Sequence, residues 1–214
     1  TVYAQAIGYA IVTGDELSAV ASRLADKVRE QGHVTTGIHG VEHILPALAR
    51  NGCADLAAEL LFRDDMPSWI HMINSGATTI WEKWNGIAPD GTLATAEMNS
   101  FNHCALGSVG EFLFETIAGL NARDTALTGT VRVDPLYVDE LDWARAEYNS
   151  PSGPISSSWK REGSDVVHQL DIPPALTAHV IVPEGFSADS GIDRTADGSI
   201  DVGAGHHTLR LRRG

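Results

Sequence analysis

The clearest folding signal in the sequence is the stretch DELSAVASRLADKVREQ, which runs from Asp15 to Gln31. Its apolar residues recur at intervals of three and four, as on one face of an amphipathic helix: Leu17, Val20, Leu24 and Val28. Acidic residues at its start favour a helix N-terminus, and Gly32 favours a helix end. Outward from this stretch, helices are predicted as far as about Leu120: Val2–Val12, Ile44–Asn51, Ala54–Phe62, Pro67–Met72, Thr78–Trp84 and Cys104–Leu120.

The pattern changes after Arg123 to short segments of alternating apolar and polar residues, separated by Gly, Pro and Ser. The predicted strands are Gly129–Val133, Asp142–Ser150, Gly153–Glu162, Ser164–Ile172, Thr177–Val182, Ser199–Val202 and His207–Leu211. About seven short strands with turns between them predict an antiparallel β-sandwich. The sequence therefore predicts an α+β chain of two domains, helical over residues 1–123 and β over residues 124–214.

The charge balance disfavours two classes of partner. The 214 residues carry 15 Lys and Arg against 28 Asp and Glu, a formal net charge of −13. Binding to nucleic acid or to an anionic membrane surface needs clustered basic residues, so both are disfavoured. The sequence contains no run of about 18 apolar residues, as a membrane span needs, and no pattern that implies a cofactor. The compartment stays open, with the cytoplasm favoured over secretion because no basic-then-apolar segment opens the chain.

Aromatic and acidic residues are concentrated between Met66 and His103: Trp69, His71, Trp81, Glu82, Trp84, Asp90, Glu97 and His103. Such stretches are typical of sugar sites, because indole faces stack on pyranose C–H faces while carboxylates bind hydroxyls or act as acids and bases. On the predicted helix, Trp81 and Trp84 share one face, and Glu82 projects about 100° away. Structural roles are also possible for these residues. A Trp pair on one helical face is common in a protein core, a Glu on a helix is commonly exposed to solvent, and a His is commonly buried and hydrogen-bonded. Spacing alone leaves these interpretations open.

A second motif suggests different chemistry. His39, Glu42 and His43 form the pattern H-x-x-E-H, which occurs in inverted zinc peptidases. Zinc binding would need both imidazoles on one helical face, with Glu42 as the base and a third ligand downstream. Gly40 and Pro46 lie around the motif and disfavour a helix there. A zinc peptidase is therefore the weaker alternative, and no metal is expected.

A series of short motifs runs along most of the chain: Thr35-Thr36-Gly37, Leu45-Pro46-Ala47-Leu48, Asn51-Gly52, Pro67-Ser68-Trp69, Gly76–Trp84, Met98–His103, Gly107–Gly110, Trp143–Ala146, Ser152–Ile155, Trp159-Lys160, Ile172-Pro173 and Thr177-Ala178. In combination they resemble the C-terminal portion of the bacterial α-L-rhamnosidases, glycoside hydrolase family seventy-eight. The sequence departs from the family pattern at Glu42-His43, where an aromatic is common at the second position.

The resemblance implies a fold and a reaction. The helices would be the later half of an (α/α)₆ barrel, followed by the family's β-sandwich, and the substrate would be a terminal α-L-rhamnoside. Glu82 occupies the place of the general base, His103 that of a histidine that contacts rhamnose, and Trp81 is a further substrate-binding candidate. An inverting hydrolase also needs an acid carboxyl about 6.5–9.5 Å from the base. In the family that acid comes from the earlier barrel half, and Glu97, Glu111 and Glu115 offer no convincing substitute.

The chain begins without Met, and its first residues read as the inside of a helix, so we expect a piece of a longer polypeptide. A half barrel would expose apolar inner-ring faces, so homo-oligomers are expected. Without the acid, the isolated chain is expected to be inactive. The alternatives that remain are a non-catalytic carbohydrate-binding remnant and the zinc peptidase.

Overall fold

The computed structural model describes residues 1–88, 90–94, 99–189 and 194–214. They form two compact units, Thr1–Phe112 and Leu113–Gly214. The first is helical and the second consists mainly of antiparallel strands, which confirms the predicted order of a helical domain followed by β-sheets. The predicted domain boundary after residue 123 stays a prediction. Among the described helices, none combines the length and apolarity needed to cross a membrane.

The first unit contains six α-helices and one 3₁₀ turn among its described residues. They are α1 (Val2–Gly8), α2 (Gly14–Gln31), α3 (Val41–Ala49), α4 (Ala54–Phe62), α5 (Trp69–Asn74), the 3₁₀ turn Ala105–Ser108 and α6 (Val109–Phe112). Helix α2 ends where predicted, because Gly32 adopts a left-handed φ of 68° and donates its N–H to the carbonyl of Val28 at 2.7 Å. Ala21, Leu24, Ala25 and Val28 form its buried face.

Helix α3 is the centre of this unit, since it contacts α1, α2, α4 and α6. Its sequence VEHILPALA is apolar on most sides, and its buried residues are Val41, Ile44, Leu45, Ala47 and Leu48. Each buried Leu or Ile contributes roughly 1.5–3 kcal/mol. The approach of α1 is close at Gly8, where a Cβ would lie 2.3 Å from Nδ1 of His43. Glycine at this position therefore allows α1 to pack against α3.

Two predicted helices are wrong. Thr78–Trp84 is a loop, in which residues 79–82 run beside residues 100–103; we call these two segments the paired loops. The segment starts with β-branched residues, which favour extended backbone over a helix: Thr78, Thr79 and Ile80. Cys104–Leu120 is also not one helix, because a 3₁₀ turn, α6 and a π turn at Leu113–Ile117 follow one another.

The second unit has nine strands among its described residues: β1 (Leu120–Asn121), β2 (Thr130–Val133), β3 (Trp143–Ser150), β4 (Gly153–Glu162), β5 (Asp165–Ile172), β6 (Thr177–Val180), β7 (Phe186–Ala188), β8 (Ile200–Val202) and β9 (Gly205–Arg213), with helix α7 (Thr125–Thr128) before β2. One sheet has the order β1-β2-β6-β8 and the other β3-β4-β5-β9-β7. All seven predicted strands are present with small shifts at their ends. One pairing, β2 with β6, is parallel rather than antiparallel.

A buried polar chain lies in the core of this unit. Ser157 Oγ donates to the carbonyl of Ala118 at 2.7 Å, so it accepts from Nε2–H of His168 at 2.8 Å. The Tyr137 hydroxyl then donates to Nδ1 of His168 at 2.8 Å. Burial lowers the pKa of His168 to about 4 and raises the pKa of Tyr137 well above its usual value. The network therefore holds a neutral imidazole.

Candidate functional site

The paired loops bring Glu82 and His103 onto neighbouring segments. The N–H of Glu82 donates to the carbonyl of Ser100 at 2.8 Å, and the N–H of His103 donates to the carbonyl of Ile80 at 2.9 Å. These bonds join the first segment to the second in an antiparallel sense, as in a short β-ladder. Residues twenty-one positions apart in the sequence thus come from adjacent strands of backbone.

The Glu82 carboxylate is held on one side only. Its Oε2 accepts a hydrogen bond from the backbone N–H of Ser100 at 3.1 Å, and the side chain is half-buried. Oε1 makes no hydrogen bond within the described part of the chain. One oxygen therefore fixes the orientation of the carboxylate, while the other can accept a proton or a hydrogen bond from a ligand. Sequence reasoning missed the role of Ser100, although the motif Asn99–His103 contains it.

The imidazole of His103 is also half-buried and oriented by backbone. Its Nδ1 accepts a hydrogen bond from the N–H of Ala105 at 3.2 Å, at the start of the 3₁₀ turn. An Nδ1 that accepts cannot carry a proton, so the neutral ring carries its proton on Nε2. His103 therefore presents an N–H donor, which suits a sugar hydroxyl.

Trp81 lies beneath the loops rather than on their surface. Only 2% of it is exposed, and its ring packs edge-to-face on Phe101 with centroids 5.3 Å apart. A Cβ at Gly86 would come within 3.1 Å of the Trp81 ring, so the chain also passes closely over it. An indole this deeply buried supports the position of the adjacent Glu82. Its predicted contact with substrate stays a prediction.

The other two tryptophans of the aromatic stretch are tied to backbone carbonyls. Trp69 and Trp84 pack edge-to-face with centroids 4.9 Å apart. The Nε1–H of Trp69 donates to the carbonyl of Leu106 at 2.8 Å, and that of Trp84 to the carbonyl of Thr36 at 2.8 Å. Trp69 thus joins α5 to the 3₁₀ turn that follows the paired loops, and Trp84 joins the chain after Glu82 to the buried Thr36, which precedes α3.

The remaining polar residues of this stretch have structural partners or lie outside the described residues. His71 is 9% exposed, and its Nε2 is 3.3 Å from the carbonyl of Ile87. Asp90 accepts hydrogen bonds from the hydroxyl and the N–H of Thr92, which lower the pKa of its carboxyl. Glu97 lies outside the described residues. None of these therefore adds an established group to the site.

The zinc-like motif does not form a helical pair. Helix α3 begins at Val41 after the N-cap Gly40, so His39 precedes the helix and only His43 lies on it. His43 packs edge-to-face on Tyr9 at 4.4 Å, and its Nε2 is 3.0 Å from Oε1 of Glu42. No three His, Cys, Asp or Glu side chains are arranged to hold a metal ion in the part of the chain that is described. The geometry gives the zinc alternative no support.

Comparison with protein families gives two matches. Residues 1–117 match the model of the bacterial alpha-L-rhamnosidase 6 hairpin glycosidase domain, and residues 128–197 match that of the bacterial alpha-L-rhamnosidase C-terminal domain. The two matches follow the helical and β parts of the chain.

Individual relatives agree with these models. An alpha-L-rhamnosidase of Streptomyces avermitilis is 37% identical over 201 residues, which cover 90% of this chain and 19% of the relative. The solved structure of a Streptomyces avermitilis alpha-L-rhamnosidase complexed with L-rhamnose superposes with a TM-score of 0.88 at 35% identity, over 98% of this chain and 21% of that one. The native enzyme from Aspergillus terreus gives 0.86 at 27% identity, over 98% and 23%. This chain thus spans about a fifth of the length of these relatives.

Proposed function

Because the chain belongs to the bacterial α-L-rhamnosidase family, we propose that it supplies the general base and part of the sugar site for hydrolysis of terminal α-L-rhamnosides. The observation that carries this proposal is the pairing of the two loops, which sets Glu82 and His103 on adjacent segments. The bound L-rhamnose in the Streptomyces avermitilis relative supports the choice of sugar.

Glu82 acts as the base through its unbonded oxygen. The backbone N–H of Ser100 holds Oε2, so Oε1 is positioned to take a proton from a water molecule as that water attacks the anomeric carbon. A positioned base typically accelerates such a step by about 10²–10⁴-fold. Attack by water on the face opposite the leaving group inverts the anomeric configuration.

His103 binds the sugar as a neutral donor. The N–H of Ala105 donates to its Nδ1, so Nε2–H is the group left to donate to a rhamnose hydroxyl. A protonated imidazole would lose the bond to Ala105, because two N–H groups would then face each other. The histidine therefore serves orientation rather than proton transfer.

The general acid is proposed to come from outside this chain. Inversion needs a second carboxyl on the opposite face of the sugar, and the chain spans about a fifth of the relatives' length. Of the glutamates that the sequence offered as unconvincing substitutes, Glu115 forms an ion pair with Arg123 and Glu111 is exposed. The isolated chain is accordingly expected to bind rhamnose weakly and to release none from an aryl rhamnoside.

The test uses a chimera in which this chain replaces the segment that it matches in the Streptomyces avermitilis enzyme. We expect hydrolysis of an aryl α-L-rhamnoside with β-L-rhamnose as the first product, seen by ¹H NMR. Glu82→Gln should lower kcat by about 10²-fold or more. With Glu82→Ala, added azide should restore turnover and give the inverted glycosyl azide, because azide needs no base.

The matched control is Glu59→Gln, which changes an exposed glutamate in the middle of α4. This variant should keep the full rate. A folded chimera without turnover, or near-normal turnover by Glu82→Gln, would contradict the assignment of the base. Retention of the anomeric configuration would contradict the mechanism.

A further inference from the structure

A shallow groove crosses the outward face of the five-stranded sheet, remote in sequence from the paired loops. Its cavity volume is about 390 Å³, and strands β3, β4 and β5 line it. We call it the Trp143 groove and define it by five outward-facing side chains: Trp143, Arg145, Ser158, Lys160 and Gln169. On β4 and β5 the opposite face is buried, so the two faces of these strands have different surroundings.

The strand register explains the shape of the groove. Ser158 on β4 lies opposite Arg145 on β3 and opposite Gln169 on β5. The short Ser158 side chain on the central strand lies between longer side chains on β3 and β5, which leaves a trough along β4. The trough is about 10 Å across, because it spans two gaps of about 4.8 Å between neighbouring strands. The next row, in which Lys160 lies opposite Trp143, closes one end.

The chemistry of the groove suits a saccharide. Trp143 is 64% exposed although it is the largest type of side chain, and it stands on an edge strand. The side chains of Ser158, Lys160 and Gln169 make no hydrogen bond within the described residues, so their polar atoms remain available. A large aromatic face beside uncommitted donors and acceptors matches the two surfaces of a pyranose, its C–H face and its hydroxyl rim.

The charges of the groove exclude a strongly ionic partner. Arg145 is paired with Glu147, and the nearby Glu162 is paired with Arg210 at 2.9 Å. Lys160 alone is left without an ion pair among the described side chains of the groove. The single Lys160 ammonium group can donate hydrogen bonds to a neutral ligand, but one positive charge is too little to attract a polyanion strongly.

We propose that the Trp143 groove is a second carbohydrate site, which binds a rhamnose-containing disaccharide by stacking one pyranose ring on the Trp143 indole. Ser158, Gln169 and Lys160 hydrogen-bond the hydroxyls of that ring and of its neighbour. The rhamnose-containing ligand rests on the proposed function, whereas the site rests on the sheet face itself. Such a site would hold the glycan near the enzyme without taking part in bond cleavage.

The test follows the indole Nε1–H signals of the ¹⁵N-labelled chain during titration with 6-O-α-L-rhamnosyl-D-glucose. Comparison with Trp143→Phe assigns the Trp143 signal. We expect this signal to shift saturably, and Trp143→Ala to weaken binding by about tenfold or more. The spectrum of each variant checks that the fold is retained, and Gln169→Ala, which removes only a polar contact, should weaken binding severalfold.

The matched control is Tyr148→Ala, which removes another exposed aromatic of β3 on the opposite face of the strand; its affinity should be unchanged. A Trp143 signal that does not respond to the disaccharide would overturn the proposal. A shift that follows protein concentration alone would assign the face to self-association and overturn it too. Failure of the two proposals is distinguishable, because Trp143→Ala should leave aryl rhamnoside hydrolysis by the chimera intact and Glu82→Gln should leave the groove affinity intact.

Discussion

Acidification should weaken the β unit through His168, which lies fully buried between the Tyr137 hydroxyl and the Ser157 hydroxyl. Protonation at Nδ1 would set an N–H against the Tyr137 O–H and place a charge in the core. Burial therefore lowers the pKa of His168 from 6.5 to about 4. In the unfolded chain the imidazole of His168 has the ordinary histidine pKa.

The change in the free energy of unfolding with pH follows from proton uptake by the two states. Between about pH 6.5 and about pH 4, His168 is protonated in the unfolded state but not in the folded state. The free energy of unfolding therefore falls as the pH falls. Stability from this group is complete above the unfolded pKa and is lost by about pH 4. A difference of about 2.5 between the two pKa values, at 1.36 kcal/mol each, corresponds to about 3 kcal/mol.

The measurement is urea unfolding between about pH 7.5 and about pH 4.5, followed by circular dichroism for the wild type, His168→Gln and His39→Gln. His168→Gln should be less stable near neutral pH, because buried partners lose their bond, but its stability should depend less on pH in this window. His39→Gln changes an exposed histidine and should follow the wild type. Equal pH slopes for the wild type and His168→Gln, or an NMR titration midpoint of His168 near 6.5, would refute the reasoning.

Two further predictions concern backbone and surface. Gly119 has a φ of 74°, and a Cβ there would lie 2.6 Å from the backbone nitrogen of Pro135. Gly119→Ala should therefore lower the free energy of unfolding by about 2–4 kcal/mol, measured by urea denaturation against the wild type. An unchanged urea midpoint would contradict this prediction, because it would mean that the loop can move aside. The helical unit exposes Val2, Ile11 and Ile73 by 74, 71 and 61%, and burial of such surface yields roughly 25 cal/mol per Å². Sedimentation at micromolar concentration should show dimers or larger species, and Ile73→Lys should shift them toward monomer, whereas a strictly monomeric wild type would contradict this expectation.

The part of the fold that sequence predicts is the part that local pattern encodes. Helix α2 has acidic residues in its first turn, an apolar stripe and a left-handed glycine at its end. Its hydrophobic periodicity and the signals at its two ends therefore predict the same helix. In β5, alternate residues are buried as the predicted strand requires: Val166, His168, Leu170 and Ile172. The buried polar chain could not be foreseen, because His168 reads as an ordinary member of an alternating strand and its partners Tyr137 and Ser157 come from other elements.

The failed helix over Thr78–Trp84 shows why the site needed the structure. A helix would satisfy its own backbone groups internally, whereas here the amide of Glu82 and the carbonyl of Ile80 bond to the second of the paired loops. The bonds that rule out the helix are the same bonds that put His103 and Glu82 on neighbouring segments, where the Ser100 N–H donates to the Glu82 carboxylate. Residue types and their order predict a candidate site, but its geometry depends on contacts between distant segments, which spacing along one segment cannot express.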